Sequence, residues 1–287
     1  MHTYFLPMLA LLLVSNADAQ IQKLTITSDG IALNAYMYQA PGEEAKPTII
    51  WCHGNPGRPV TGDSEFAQRL NGHGINVLRW NYRGLWGTDG TYTPGNCQRD
   101  LQHVIDFVFD AQNSARFRID TNRIIVAGYS HGSNVTLVSA LYDERIREVF
   151  CLGLADFSYL SRETFNPANA GMRKFNQDVK DAIWGANEGP GTYAPDYDKY
   201  VLDILFNNYK YDFVANGDLL HNKRLFIVVG MNDVTVPIEH HFFPLYRKLM
   251  DMEHEDFRYE ITGSDHGFAE LYDGQLSTWI AGWIHER

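Results

Sequence analysis

Cysteine is scarce in this sequence. Only Cys52, Cys97 and Cys151 occur among its 287 residues. An odd count permits at most one disulfide, so a disulfide-stabilised scaffold is excluded, while any pairing among the three thiols stays open. Cys52 and Cys151 lie in apolar runs and are predicted to be buried in strands. Neither a Cys-x-x-Cys motif nor a cluster of Cys and His is present, so the sequence predicts no metal site.

Positive charge and flexible linkers are scarce as well. The 24 Lys and Arg residues stand against 35 Asp and Glu, which gives a formal net charge of −11 without any basic cluster. A nucleic-acid or anionic-membrane partner is therefore not expected. No Gly/Ser-rich or Pro-rich linker and no repeat divides the chain, so we expect one domain over residues 20–287 that carries one insertion.

The N-terminus carries an apolar run, Phe5 to Val14, which is too short to span a bilayer. Ala17 and Ala19 fit the small-residue cleavage rule of a secretory signal peptide. We predict a signal peptide over residues 1–19, cleavage after Ala19, and export to the periplasm or the medium with no membrane anchor in the mature protein. No Lys or Arg precedes the run, so a buried N-terminal strand is the alternative.

The central motif of the chain is Gly128-Tyr129-Ser130-His131-Gly132. An apolar, β-branched run precedes it and a segment typical of a buried helix follows it. A strand, a sharp turn and a helix are the context in which Gly-x-Ser-x-Gly exposes a nucleophilic serine. The small residues on both sides of the serine let the strand and helix backbones approach closely. Ser130 is therefore the candidate nucleophile.

Short apolar segments alternate with segments of helical spacing along most of the chain. A hairpin is predicted over residues 23–38, and strands are predicted at 48–52, 75–80, 124–127, 149–155, 224–230 and 257–261, the last with alternating apolar and polar residues. Helices are predicted between them, at 65–72 and 97–113 among others. This alternation indicates the α/β class, with a mostly parallel, twisted sheet and helices on both of its faces.

The strand at 48–52 ends in His53-Gly54-Asn55-Pro56-Gly57. His-Gly after a central strand, followed later by Gly-x-Ser-x-Gly, resembles the α/β-hydrolase superfamily. The His-Gly-x-Pro-Gly form is similar to that of its proline-iminopeptidase-like branches. The resemblance implies the α/β-hydrolase fold and an oxyanion hole made by the backbone N–H groups of Asn55 and His131. Two such fixed dipoles stabilise the charge of a tetrahedral intermediate.

Two further loops resemble those of the same superfamily. The segment from Gly230 to Pro237 is similar to its acid loop, and His266-Gly267-Phe268 is similar to its histidine loop. The resemblance implies that Asp233 orients His266, which acts as general base toward Ser130. Asp156 is the competing acid, because some members place the acid one strand earlier. Asp233 is favoured because its loop is the fuller match.

Three other segments carry predictions. The loop from Asn81 to Gly90 resembles a structural loop of the superfamily in which Arg83 ties backbone together. A helical lid insertion is predicted at about 157–222, where the β/α rhythm breaks, with helices at 178–186 and 197–206. One helix is predicted from Glu239 to Met252, with His240 and His241 on its surface.

The resemblance implies a serine hydrolase that works through an acyl-enzyme without a metal or organic cofactor. A carboxylic ester is the first choice of substrate. The first alternative is an aminopeptidase-like serine peptidase acting on short peptides, which should offer a carboxylate to the substrate amine; candidates are Glu163, Asp178, Asp181 and Glu188. The second alternative is a non-catalytic binding protein on this fold. A dehalogenase is disfavoured, because Ser130 stands where that chemistry needs a carboxylate. The sequence leaves acyl specificity, leaving group and oligomeric state open.

Overall fold

The computed structural model describes residues 19–55, 57–166, 168–169, 174, 197–272 and 274–286. Residues 1–18 of the predicted signal peptide, which extends to Ala19, and the predicted helix at 178–186 lie outside the described residues. These predictions therefore stay predictions.

The described strands form one eight-stranded sheet in the order β1-β2-β4-β3-β5-β6-β7-β8. Their bounds are β1 (Gln20–Ser28), β2 (Ile31–Gln39), β3 (Lys46–Cys52), β4 (Asn76–Trp80), β5 (Ile119–Tyr129), β6 (Glu148–Leu152), β7 (Arg224–Gly230) and β8 (Phe257–Thr262). The pairs β1–β2 and β2–β4 are antiparallel, and all other neighbouring pairs are parallel. The predicted mostly parallel sheet is confirmed.

The described helices lie on both faces of the sheet. They are α1 (Glu65–Gly72), α2 (Pro94–Phe109), α3 (Ala111–Arg116), α4 (His131–Tyr142), α5 (Phe157–Phe165), α6 (Tyr197–Phe206), α7 (Asn208–Tyr211), α8 (Ile238–His241), α9 (Phe243–Asp251) and α10 (Gln275–His285). Short 3-10 turns cover Gly217–Leu220 and Ala269–Leu271. None of the helices in the described part of the chain is long and apolar enough to cross a membrane.

The central strands are buried on both faces, which explains their continuous apolar sequences. In β3, Ile49 and Trp51 belong to the core under α1 and α10, whereas Ile50 and Cys52 belong to the core under α2 and α4. Successive side chains of a strand point to opposite faces, so a strand covered by helices on both sides carries a nearly continuous apolar run. The site forms at the carboxyl ends of these strands.

The predicted helix from Glu239 to Met252 is divided in two. Phe242 separates α8 from α9, and Pro244 occupies the first turn of α9. Proline has no N–H to donate to the preceding turn, so a continuous helix is interrupted there. Both His240 and His241 were predicted on the surface of this helix. His240 is exposed, but His241 is buried.

Arg83 is buried and joins α2 to the end of β1. Its Nε donates to Asp100 Oδ1 at 2.7 Å, its backbone N–H donates to Asp100 Oδ2 at 2.9 Å, and one terminal nitrogen donates to Ser28 Oγ at 2.6 Å. The resemblance implied that Arg83 ties backbone groups together. Its guanidinium instead bonds to the side chains of Asp100 and Ser28. Charge-assisted bonds of this kind are strong when buried. These bonds hold the loop from Asn81 to Gly90 against α2 and the end of β1.

All three cysteines are buried and free. Burial raises the pKa of Cys52 to about 12 and raises that of Cys97 well above its ordinary value. A thiol that stays protonated is a poor nucleophile. The three side chains therefore serve as small apolar groups in the core.

Candidate functional site

Ser130 lies in a strained turn between β5 and α4. Its backbone has φ 55° and ψ −118°, a combination that residues with a side chain rarely adopt. The Ser130 N–H donates to Leu152 O at 2.8 Å, and Ser130 O accepts from the N–H of Ser133 at 2.9 Å and from its Oγ at 2.5 Å. These bonds hold the strained conformation, which lifts the hydroxyl clear of the sheet.

Gly128 and Gly132 are required by the close approach of backbone segments. A Cβ atom on Gly128 would lie 2.1 Å from Gly132 O, and a Cβ atom on Gly132 would lie 2.1 Å from Cys52 O. Real Cβ atoms do not approach backbone oxygens so closely, so only glycine fits at either position. The first glycine lets α4 close on β5, and the second lets α4 reach the end of β3.

The structure brings Ser130, His266 and Asp233 into one chain of hydrogen bonds. His266 Nε2 lies 2.9 Å from Ser130 Oγ, and His266 Nδ1 lies 2.7 Å from Asp233 Oδ2. The side chain of Asp233 is 2% exposed and that of His266 is 21% exposed, so the carboxylate is shielded while the imidazole reaches solvent. This arrangement can deprotonate the serine hydroxyl and carry the proton to a leaving group.

Asp233 is fixed by its own loop. Its Oδ1 accepts the N–H groups of Thr235 and Val236, each at 2.9 Å, which leaves Oδ2 for the imidazole. Aspartate favours such a turn, because its side chain accepts hydrogen bonds from the backbone N–H groups that follow it. The carboxylate is therefore oriented before His266 meets it.

The loop that carries His266 rests on the residue before the serine. Tyr129 OH donates to His266 O at 2.7 Å, and the two rings lie 5.4 Å apart. Gly153, whose φ is 61°, adjoins the same loop: a Cβ atom there would lie 3.0 Å from the ring of Phe268. Sequence reasoning gave Tyr129 no role, because the position between glycine and serine is variable in the motif.

The segment that carries Asn55 packs against the serine. A Cβ atom on Gly54 would lie 3.4 Å from Ser130 Cβ and 2.9 Å from the ring of Tyr129. His131 is the first residue of α4, directly after Ser130, where the backbone N–H groups have no partner within the helix. Both predicted oxyanion donors therefore belong to segments that adjoin Ser130.

Asp156, the competing acid, caps a helix and does not contact His266 as Asp233 does. Its Oδ1 accepts the N–H of Tyr159 at 3.0 Å and so caps α5. Its own N–H donates to His241 Nδ1 at 2.9 Å. Burial raises the pKa of Asp156 to about 7 and lowers that of His241 to about 3. The carboxylate that contacts His266 is that of Asp233.

His241 is a buried residue that sequence reasoning placed on the surface. Through its bond to Asp156 it links α8, which follows the acid loop, to the loop after β6. It also contacts the ring of Tyr159, whose other neighbour is the exposed His240. The only sequence signal for this arrangement is Pro244, which interrupts the helix just after it.

Among the described residues, no group of three or more His, Cys, Asp and Glu side chains could hold a metal ion. Of the four carboxylates considered for binding an amine, Asp178, Asp181 and Glu188 lie outside the described residues. Glu163 is described, and its Oε2 accepts from Asn166 Nδ2 at 3.3 Å and from Asn169 Nδ2 at 2.9 Å.

Known proteins resemble this chain in sequence and in fold. Residues 49–274 match the profile of the Alpha/beta hydrolase family. The chain is 27% identical over 161 residues to the quorum-quenching protein AidA of Acinetobacter baumannii, a stretch that covers 54% of this chain and 51% of that protein. The chain thus spans about half the length of the curated relatives it matches.

Two solved structures illustrate the likeness in fold. The Pyrococcus furiosus esterase Pf2001 superimposes with a TM-score of 0.62 at 16% identity, over 93% of this chain and 91% of that one. The Pyrococcus horikoshii acylaminoacyl peptidase superimposes with a TM-score of 0.64 at 14% identity, over 93% of this chain and 41% of that one. At such identities the likeness extends to the fold alone.

Proposed function

Because the chain belongs to the alpha/beta hydrolase family, we propose that it is a serine hydrolase whose nucleophile is Ser130. The observation that carries the proposal is the hydrogen-bonded chain of Ser130, His266 and Asp233, with contacts of 2.9 Å and 2.7 Å. The strained turn at Ser130 and the shielded carboxylate of Asp233 support it, since both are features that a purely structural serine does not need.

In the first half of the reaction, Ser130 Oγ attacks the carbonyl carbon of the substrate while His266 Nε2 takes the hydroxyl proton. The N–H groups of Asn55 and His131 stabilise the oxyanion of the tetrahedral intermediate. The intermediate collapses, the bond to the leaving group breaks, and His266 delivers the proton to that group. Asp233 stabilises the imidazolium and keeps Nδ1 protonated throughout. An acyl-enzyme on Ser130 remains.

In the second half, water replaces the leaving group. His266 Nε2 takes a proton from the water as its oxygen attacks the acyl carbon, and a second tetrahedral intermediate forms on the same donors. Its collapse breaks the bond to Ser130 Oγ, which recovers its proton from His266. A carboxylic acid leaves and the enzyme is restored. No step uses a metal or an organic cofactor.

We favour a carboxylic ester as the substrate over a peptide. An enzyme that reads a free N-terminus needs a carboxylate placed to bind the amine, and nothing in the described residues aims one at Ser130. An ester needs no such group. The aminopeptidase-like activity is the second candidate, and a non-catalytic binding protein is the third.

Steady-state kinetics on matched substrates tests this proposal. We expect kcat/KM to be higher for p-nitrophenyl esters of graded acyl length than for aminoacyl p-nitroanilides, and Ser130→Ala to abolish turnover of both. A preference for the free-amine anilides would make the protein a peptidase. Full turnover by Ser130→Ala would overturn the serine mechanism itself.

Export is proposed from the N-terminal sequence alone. The apolar run before Ala19 supports cleavage by a signal peptidase and release of the mature protein. N-terminal sequencing of protein recovered from the periplasm or the medium of an expressing bacterium should begin at Gln20. Recovery in the cytoplasm with Met1 retained would contradict the proposal.

A further inference from the structure

The side chain of His131 is enclosed beneath the candidate oxyanion hole. It is 2% exposed, and its ring lies between those of Tyr92 and Phe157, each at 5.3 Å, with Tyr82 at 5.7 Å. Its Nδ1 lies 3.0 Å from Tyr200 OH, while its Nε2 has no partner among the described residues. The hydroxyl of Tyr200 is therefore the one polar contact that fixes how this ring is turned within the described structure.

Tyr200 reaches this position from α6, in the region between β6 and β7. The same helix is anchored by Asp203, whose Oδ2 accepts the N–H of Gly95 at 2.6 Å and the hydroxyl of Tyr211 at 3.2 Å. The Tyr200 ring also stacks on Tyr92 at 5.4 Å. The hydroxyl of Tyr200 is thus not needed merely to hold α6 in place, because Asp203 and the stacked rings already do so.

In the proposed mechanism, the peptide group between Ser130 and His131 carries the N–H that faces the developing oxyanion. Its oxygen, Ser130 O, is held from one side by two bonds from Ser133. Its nitrogen belongs to His131, whose Cα and imidazole are held from the other side. The peptide group is planar, so fixing both ends fixes the direction of the N–H. Because the backbone of Ser130 is strained, the direction of the His131 N–H depends on the contacts that hold the neighbouring residues.

We propose that Tyr200 is a positioning residue: its hydroxyl locks the imidazole of His131 and thereby aims the His131 N–H at the oxyanion. The inference rests on the proposed function, since it assigns the support of one oxyanion donor in that mechanism. It makes α6 part of the apparatus that stabilises the transition state, although no side chain of α6 has to touch the substrate.

Two matched variants separate positioning from anchoring. Tyr200→Phe and Tyr211→Phe each delete one hydroxyl. The Tyr200 hydroxyl contacts His131, whereas the Tyr211 hydroxyl bonds to Asp203 of α6. The probe is a fluorophosphonate, which requires no knowledge of the substrate. Ser130 Oγ bonds to its phosphorus as fluoride leaves, and the phosphoryl oxygen gains negative charge in the oxyanion hole. The readout is the maximal labelling rate, kinact, measured separately from the binding constant, KI.

We expect Tyr200→Phe to lower kinact about tenfold with KI unchanged, because misaiming a donor costs less than the 10²–10³-fold of deleting it. Tyr211→Phe should stay within about twofold of the wild type. In a His131→Phe background, Tyr200→Phe should bring no further loss, because the ring it holds is gone. The melting temperature of each variant shows whether it is folded.

The outcomes distinguish the inference from its premise. Equal kinact for the two tyrosine variants, or an undiminished effect of Tyr200→Phe in the His131→Phe background, overturns the positioning role and leaves the serine mechanism intact. A wild-type protein that the fluorophosphonate does not label overturns the proposed function, and this inference with it.

Discussion

Two aspartates in similar sequence positions have different surroundings. Asp233 and Asp156 each follow a buried parallel strand, but Asp233 Oδ2 contacts His266 at 2.7 Å, whereas Asp156 Oδ1 caps α5 at 3.0 Å. Sequence reasoning favoured Asp233 from the fuller match of its loop. What the loop supplies physically is two N–H groups for Oδ1, which aim Oδ2 at the imidazole.

The first prediction compares the two aspartates by the same substitution. We expect Asp233→Asn to lower kcat about 10³–10⁴-fold, because an amide favours the wrong imidazole tautomer and leaves the imidazolium without a counter-charge. Asp156→Asn should stay within about threefold, since asparagine also caps a helix. Steady-state kinetics on a p-nitrophenyl ester checks both. A larger loss from Asp156→Asn than from Asp233→Asn would reverse the assignment.

Individual residues differ in how far their sequence reveals them. Ser130 and His266 stand in local motifs, so the pattern alone points to them. Tyr200 and His241 stand in no motif, and their contacts join segments distant in the chain: Tyr200 bonds to His131, and His241 bonds to Asp156. The identity of such partners depends on tertiary packing, which a pattern of neighbouring residues does not encode.

At the level of elements, the site depends on how closely α4 approaches two strands. The N-terminus of α4 contacts the end of β3 at Gly132, and Gly128 is in contact with the first turn of α4. Most predicted strands and helices are found near their predicted bounds, because apolar periodicity is local information. The breaks at Asp110 and Phe242 were not predicted, since capping and proline effects end a helix against an otherwise continuous pattern.

The second prediction tests this close approach. Gly132→Ala would place a Cβ atom 2.1 Å from Cys52 O, so α4 must move away from β3. We expect a loss of about 3 kcal/mol or more in the free energy of unfolding, at the upper end of overpacking costs, and a loss of activity with it. Denaturant titration measures the change.

Gly72→Ala is the control for that substitution. It places a methyl group at the end of α1 where nothing lies within 4 Å. Alanine is the better helix former, so the free energy of unfolding should rise or stay within about 1 kcal/mol. If Gly132→Ala were as well tolerated as Gly72→Ala, the contact between α4 and β3 would not constrain the serine turn.

For the whole molecule, buried titratable groups set how stability depends on pH. Burial lowers the pKa of His53 to about 4 and the pKa values of His131 and His241 to about 3. Burial raises the pKa of Asp156 to about 7 and also raises that of Asp100. Between about pH 4 and 6.5 the unfolded chain therefore binds three histidine protons that the folded chain does not, while the folded chain retains at most two carboxyl protons.

The third prediction follows from the sign of this difference. The unfolded state binds more protons in that window, so the free energy of unfolding should fall as the pH is lowered from about 6.5 to about 4. Asp156→Asn removes a proton held by the folded state, so its slope should be steeper by about one proton. Thermal unfolding across the window measures both slopes. A wild-type stability that rises on acidification would contradict the buried, neutral histidines.

The fold as a whole was accessible from sequence, and the site only partly. The mostly parallel pairing and the two covering layers of helices follow from alternating apolar patterns and from the resemblance at four loops, whereas the order of the strands was not predicted. The hydrogen bonds of His266 at 2.7 Å and 2.9 Å join loops that are 33 and 136 residues apart in the chain. Their formation required the strand order, which brings the carboxyl ends of β5, β7 and β8 to one edge.

The central claim is that Ser130 is the activated nucleophile, and covalent labelling tests it most directly. The mature protein is treated with a fluorophosphonate, digested and mapped by tandem mass spectrometry, beside Ser130→Ala and His266→Gln. We predict a single adduct on Ser130 in the wild type, none in Ser130→Ala, and strongly slowed labelling in His266→Gln because the general base is lost. An unmodified Ser130 in folded wild-type protein, or an adduct on another residue, would contradict the account.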